Sequence, residues 1–320
     1  MLKFIAKRFV SYVAMLFIAM TLVYFVASWF LNPRSNYLSM RPVPPESAID
    51  ASLSYANIND KVPIIVRYWH WLQDVVLHWN WGYSPQGEAI NNQLWERAWV
   101  SLQVAGPPVV FAIILGVALG VYTAIRQYKA ADRVWTFVSS FFWVMPNFVA
   151  ALLVVLVYLW FRTQTDLQIF YVTGAGGDDP ITYLQHLALP WLALTLAVYG
   201  TYHFTQRSYL LETLNADYVR TARAKGLPKN VAIRRHALRP SLIPTAFQVA
   251  FVLVSLITGA ILIEFIFAIQ GAGSYFLETI NSNDINGAVG VAFLTAVTTC
   301  AGLLLADIVV AMIDPRVRLS

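Results

Sequence analysis

The stretch Asn215-Ala-Asp-Tyr-Val-Arg-Thr-Ala-Arg-Ala-Lys-Gly-Leu-Pro228, continuing to His236-Ala-Leu-Arg-Pro240, is a basic island between two apolar runs, His186–Thr205 and Leu242–Ile269. About 20 apolar residues suffice to cross the hydrocarbon core of a bilayer as a helix, whose backbone hydrogen bonds are all internal. The island and its flanks therefore read as a helical pair joined by a polar loop at a membrane surface. Four further runs have the same character: Phe9–Leu31, Val100–Ile125, Val134–Phe161 and Ala288–Ile313. The chain of 320 residues is 58% hydrophobic and only 12% charged, with a mean hydropathy of +0.58, values that suit an integral membrane protein and no soluble class. The fold expected is all-α and polytopic, with six transmembrane helices.

Lys3, Lys7 and Arg8 ahead of the first run suggest a secretory signal. The run is too long for one, and passes through Tyr24, Phe25, Trp29 and Phe30 without a small-residue exit. It reads as a retained span. With six spans, the termini and the second and fourth loops share one side, and that side holds 16 of the 22 basic residues. The remaining six are Arg34, Arg41, Lys61, Arg67, Arg97 and Arg162. The positive-inside rule then puts both termini in the cytoplasm. On this reading the net charge of +5 reports topology; nothing resembles a nucleic-acid module, and no nucleic-acid partner is expected.

The division that follows is 1–31 for the N-terminus and first helix, 32–99 for an external segment, 100–313 for a five-helix core, and 314–320 for a cytoplasmic tail. The loop 206–241 lies within the core. In the external segment, 66–84 has apolar residues at helical spacing and predicts a short amphipathic helix ending near Gly82, with tryptophans suited to the membrane interface. His70 and His78 lie about 12 Å apart along such a helix, too far for one ion, and no metal site is expected. Cys300, the only cysteine, reads as a small buried hydrophobe. The glycine clusters Gly174–Gly177 and Gly271–Gly273 are no phosphate cradle, since no Gly-Lys dipeptide occurs and both lie in external loops.

In the island, Asn215 is placed to cap a helix running from Ala216 to Lys225, with Asp217 favourable in its first turn. Gly226 supplies the position beyond the helix end, and Pro228 stops propagation. Val219 and Ala222 form a thin apolar stripe, too weak to anchor in a membrane and suited to a groove on another protein. A second basic helical stretch, Lys229 to Leu238, leads into the fifth span. Two carboxylates lie inside spans near their ends, Glu264 in the fifth and Asp307 in the sixth; burial of such groups is costly, and both are candidates for a structural or gating role.

The order of residues 217–228, followed by Arg235-His-Ala-Leu-Arg-Pro-Ser-Leu-Ile-Pro244, resembles the cytoplasmic "EAA" loop of permeases of ATP-binding cassette importers. The similarity is to B-type subunits of the peptide, opine and nickel subfamily. It extends to Leu72–Ser84, Trp143–Leu153, His186–Pro190, Glu264–Gly273 and Asp307–Arg318, nearly the whole chain. The loop lacks the glutamate of its name, Asn32-Pro-Arg34 stands for Pro-Gly-Asp, and Gln270 and Ala272 replace the Pro and Leu of a Pro-Gly-Leu-Gly turn.

The resemblance implies an importer permease of type I architecture with a small external domain, forming half of a pore with a C-type homologue. Two cytoplasmic ATPases would bind ATP and Mg, so this chain would bind no cofactor and catalyse nothing, and an extracytoplasmic solute-binding protein would deliver peptide. It assigns ATPase docking to Asp217, Tyr218, Arg220, Thr221, Ala222, Arg223, Lys225, Gly226 and Leu227. It makes Trp143, Pro146, Glu264 and Gln270 gate or pathway candidates. Nickel, glutathione and opines are alternative cargoes of the subfamily. Two other classes compete. An ion-coupled carrier would be expected to show a midplane carboxylate or an internal repeat, and the chain has neither. A membrane-embedded enzyme would need paired catalytic residues at depth, whereas His70, His78, His186, His203 and His236 are scattered over loops and span ends.

Overall fold

The structure, a computed structural model, describes residues 2–177, 179–252 and 256–313. It is all-α: among the described residues the only extended pairing is an isolated bridge between Tyr83 and Ala89. Helices follow in the order α1 (Leu2–Phe30), α2 (Pro33–Leu38), α3 (Glu46–Tyr55), α4 (Ile64–His78), α5 (Ile90–Ile125), α6 (Ala130–Val144) and α7 (Asn147–Thr165). After these come α8 (Pro180–Leu214), α9 (Asp217–Ala224), α10 (Lys229–Ala232), a π-helical turn (Ile233–Ala237), α11 (Leu238–Val252), α12 (Leu256–Ile266), α13 (Ala272–Asn281) and α14 (Ile285–Ile313).

Five stretches are long and apolar enough to cross a membrane: Ile5–Leu38, Ile90–Ile125, Asn147–Thr165, Pro180–Leu214 and Ile285–Ile308. The expected third span is not one helix. Pro146 has no N–H to donate and excludes helical geometry at Met145, which is extended at φ −71° and ψ 129°, so α6 ends at Val144 and α7 begins with Pro146 as its cap. The expected fifth span, Leu242–Ile269, runs through 253–255, which lie outside the described residues, as does the expected tail 314–320.

The centre of the molecule is the pair α5 and α8. Along α5 small residues recur at every fourth position, Ala112, Gly116, Gly120 and Ala124, and all four are buried. This spacing lets backbones approach where lipid gives no hydrophobic drive to pack. A Cβ on Gly116 would sit 2.5 Å from the Tyr199 carbonyl oxygen, and one on Gly120 would sit 2.8 Å from that of His203. Pro107 and Pro108 interrupt the ladder of α5, and the carbonyl of Gln103, which Pro107 cannot engage, accepts from Trp191 Nε1 at 3.0 Å. At the start of α8, Asp179 accepts from the Ile181 and Thr182 N–H groups at 3.1 and 2.9 Å. The Thr182 hydroxyl and these amides hold the Asp179 carboxyl below its usual range.

The segment between α1 and α5 folds against the same end of the bundle as α13. Its core joins Ile49, Leu53, Ile58, Trp71 and Trp81 to Tyr24, Ile90, Tyr275 and Ile285. This corrects the interfacial reading of its tryptophans. Trp71 and Trp81 are buried core residues, while Trp69 and Trp79 remain exposed. Helix α4 also stops earlier than expected, at His78, because Trp79 takes a left-handed conformation at φ 54°. Gly82, at φ +86°, lies under the turn before α14: a Cβ there would meet Asn286 Nδ2 at 2.8 Å. That Asn286 amide donates to the carbonyls of Ala56 and Tyr83, both at 2.9 Å. Arg34 bridges Asp50 and Asp60 at 2.6 Å and holds Asp60 below the usual carboxylate range.

Candidate functional site

At the basic face, α9 is the island's helix. It is shorter than expected, and Asn215 does not cap it. Ala216 occupies the capping position without a side-chain bond, while Asn215 closes α8, its amide donating to the Leu211 carbonyl at 3.0 Å. Asp217 lies in the first turn, where its charge faces the positive end of the helix. The C-terminal prediction holds in detail. Gly226 is at φ +91°, the Leu227 N–H reaches the Ala222 carbonyl at 3.3 Å and the Gly226 N–H reaches that of Arg223 at 3.0 Å. These are the two bonds of a Schellman close.

The apolar stripe is used differently from the sequence expectation. Val219 and Ala222 are buried within this chain, Val219 against Ala124, Leu210 and Ala237, because a lone eight-residue helix needs tertiary packing to persist. What α9 presents outward is polar: Asp217, Tyr218, Arg220, Thr221, Arg223 and Lys225 are exposed, Gly226 faces open space and Leu227 is half-buried. The docking candidates thus form one continuous surface, with Ala222 as its internal support.

At the opposite end, Glu264 is fully buried and caps a helix that is not its own. Helix α13 begins at Gly271 with no side-chain cap, and the Ser274 N–H donates to Glu264 Oε2 at 2.9 Å. Ser101 Oγ of α5 donates to Glu264 Oε1 at 2.5 Å and accepts from the Ala272 N–H at 2.8 Å. Gly271 is pressed against the carboxylate, leaving no room for a Cβ. Gln270 is drawn in by Arg97, whose Nη1 donates to its Oε1 at 3.2 Å, and the same guanidinium lies 3.7 Å from Glu278 and over the Tyr275 ring. Glu264 and Gln270 therefore belong to one cluster. Trp143 and Pro146 lie elsewhere, at the break between α6 and α7, where Trp143 Nε1 donates to Thr201 of α8 at 3.2 Å and Pro146 is exposed. Asp307 ties α14 to α1, accepting from the Tyr12 hydroxyl at 2.6 Å with Arg8 at 3.4 Å.

Sequence reasoning missed Arg97 and Ser101, which carry no motif. It also missed Asp132, which starts α6 and holds Arg207 of α8 through two bonds of 2.9 and 3.0 Å. Asp284 escaped notice too. It is buried at the start of α14, where the Gly287 N–H donates to it at 2.9 Å, and burial, reinforced by Glu278 and Glu88, pushes its carboxyl up to about 7.

Among the described residues, five long apolar helices, two of them a close-packed pair, with a polar helix at one end and a buried acid at the other, suit a membrane transport subunit. Residues 116–319 match the family of binding-protein-dependent transport system inner membrane components, and the chain belongs to that family. It is 36% identical to the oligopeptide transport system permease protein OppB of Mycobacterium tuberculosis over the whole of both chains. To the OppB of Escherichia coli it is 30% identical over 99% of this chain and all of that one, and to that of Salmonella typhimurium likewise. The chain is thus a multi-pass permease component of the inner membrane. Of the three classes that the sequence left open, this is the first.

Proposed function

We propose that this chain forms half of the translocation pathway of an oligopeptide importer and couples it to ATPases through 215–240. The observation that carries the reading is α9: a helix whose apolar side is already satisfied within the chain, and whose polar side ends at a glycine facing open space. Such a surface is shaped to enter a groove, and no nucleotide motif in this chain could use ATP directly. On this reading the chain has six spans, and the concentration of basic residues on one side supports termini and α9 in the cytoplasm, with 32–99 outside. The partners are a C-type homologous permease, two ATPases that bind ATP and Mg, a solute-binding protein that delivers peptide, and the lipid bilayer. The chain itself binds no cofactor. Full-length similarity to two OppB proteins supports peptide as cargo over nickel, glutathione or opines.

The test compares Gly226→Ala with Gly226→Asp in the assembled importer. Both lose about 1–2 kcal/mol to the positive φ, and neither Cβ clashes within the chain. Gly226→Asp adds bulk and a charge to be desolvated in the groove. It should abolish ATPase co-purification and uptake, whereas Gly226→Ala retains co-purification. Equal behaviour of the two variants, or native uptake by Gly226→Asp, refutes docking at this surface.

A further inference from the structure

Gln206 lies in α8, two turns above the end that leads into α9, and is fully buried. Its amide joins α8 to α11: Nε2 donates to Ser241 Oγ at 2.9 Å, and the Thr245 hydroxyl donates to Oε1 at 2.8 Å. Ser241 passes the chain on, donating to the Leu238 carbonyl at 2.8 Å, the first residue of α11 beyond the π-helical turn. The stem of Gln206 cannot swing toward α5, because the Gly120 position lies against its Cβ; a Cβ on Gly120 would be 2.8 Å away. One turn further along α8, Leu210 is fully buried and packs with Val219 of α9 and Ala237 of the π-helical turn. A contiguous path of packed and hydrogen-bonded groups therefore runs from α9 through Leu210 and Gln206 into α11, the kind of network along which displacement can be transmitted.

The π-helical turn lies on this path, between α10 and α11. Its five residues have the wide π spacing, with the Leu238 N–H bonded to the Ile233 carbonyl, and such turns are rare and frequently mark functional sites. If α11 were attached to α9 through this turn alone, a push on α9 would be taken up by the turn. The amide bridges the turn from the other side.

We propose that Gln206 is a positioning residue of the importer, its amide making the basic-face halves of α8 and α11 one lever, so that displacement of α9 moves both helices together. The proposal rests on the docking of α9 to ATPases given above. It also predicts little loss of folding when the amide is removed. Ser241 keeps its bond to Leu238, and the Thr245 hydroxyl can turn to the carbonyl one helical turn back, as Ser and Thr commonly do.

The experiment reconstitutes the complete importer, with both permeases, the ATPases and the binding protein, in proteoliposomes carrying Gln206→Leu. ATPase co-purification and basal hydrolysis should stay within twofold of native, while stimulation of hydrolysis by peptide-loaded binding protein and peptide uptake both fall about tenfold or more. Adding Thr245→Val should cost little beyond Gln206→Leu alone, as for members of one unit. Stimulation and uptake within twofold of native overturn the lever, as do losses that add, or a loss of co-purification, which would make the amide a support of the docking surface. Gly226→Asp assayed alongside separates the two readings: native co-purification there removes the docking, whereas a native Gln206→Leu beside a defective Gly226→Asp removes the lever alone.

Discussion

Replacing Glu264 by leucine should release the first turn of α13 while leaving the rest of the fold in place. The carboxylate is the acceptor for the Ser274 N–H and for the Ser101 hydroxyl, at 2.9 and 2.5 Å, and α13 has no side-chain cap of its own. Each buried donor left without a partner costs about 1–3 kcal/mol. Relief from burying a charge offsets part of this. A net local loss of about 2–4 kcal/mol corresponds to a roughly 30- to several-hundred-fold rise in amide exchange across 272–275, at tenfold per 1.4 kcal/mol. Glutamine at 264 keeps an acceptor for the Ser274 N–H and offers an amide to Ser101 Oγ, so it should lose about 1 kcal/mol. The assay is hydrogen exchange by mass spectrometry on the chain in lipid nanodiscs, with α9 as internal control. Unchanged exchange in 272–275 for Glu264→Leu, or equal effects of leucine and glutamine, would refute the capping role.

Two further outcomes follow from the packing and the electrostatics. Gly116→Leu should separate α5 from α8, because its Cβ falls 2.5 Å from a backbone oxygen; overpacking of this kind costs about 1–3 kcal/mol or more, read as an earlier midpoint in a denaturant titration of the purified chain. Asp284 has a folded pKa of about 7, above its ordinary 3.8, because it is buried. The protonated form is therefore the favoured one in the fold, so the contribution of Asp284 to stability is greatest below about pH 4 and declines as pH rises toward 7, by an amount on the order of a few kcal/mol. Asp284→Asn keeps an acceptor for the Gly287 N–H and should flatten this decline; thermal melts from pH 4 to pH 8 that fall equally in both proteins would refute the assignment.

What could be read from the chain alone were features set by local chemistry. Gly226 before Leu227-Pro228 requires a left-handed close, and the structure has one, with both Schellman bonds. Long apolar runs became helices because a helix satisfies all of its backbone groups within itself in lipid. Features set by tertiary choice were not readable. Hydropathy carries straight through Met145-Pro146, yet the missing N–H divides the run in two. Asn215 and Ala216 could each have preceded the island's helix, and the bond from Asn215 to Leu211 settled the boundary in favour of α8. A two-residue apolar stripe on α9 is equally compatible with an outside groove and with Leu210, and the nearer partner won. Arg97 and Ser101 act only because Gln270 and Glu264, more than 160 positions away, come to meet them. The four-residue spacing of Ala112, Gly116, Gly120 and Ala124 stands in the sequence but went unread there; the structure shows that it marks the α8 contact.

With α9 and the capped helix α13 at opposite ends of the bundle, something must join them, and α8 meets the requirement. At 35 residues it is about 52 Å long, enough to cross a bilayer and reach beyond both surfaces. Near its start, His186 bonds the Thr173 carbonyl at 2.9 Å, and the next residue, Gly174, donates its N–H to the carbonyl of Phe267, just past α12 and three residues from Glu264. Near its end, His203, Gln206 and Arg207 hold α5, α11 and α6 through Thr123, Ser241 with Thr245, and Asp132. In lipid, apolar contact alone holds helices weakly and without preferred register. Directed polar bonds, each with a single geometry, fix the neighbours of α8 at the basic end, and the glycine stripe fixes its distance from α5. If α9 docks as proposed, a strut secured in this way would carry its displacement along α8 without twisting past its partners. That property is what a transporter driven from one face and opened at the other requires of its central helix.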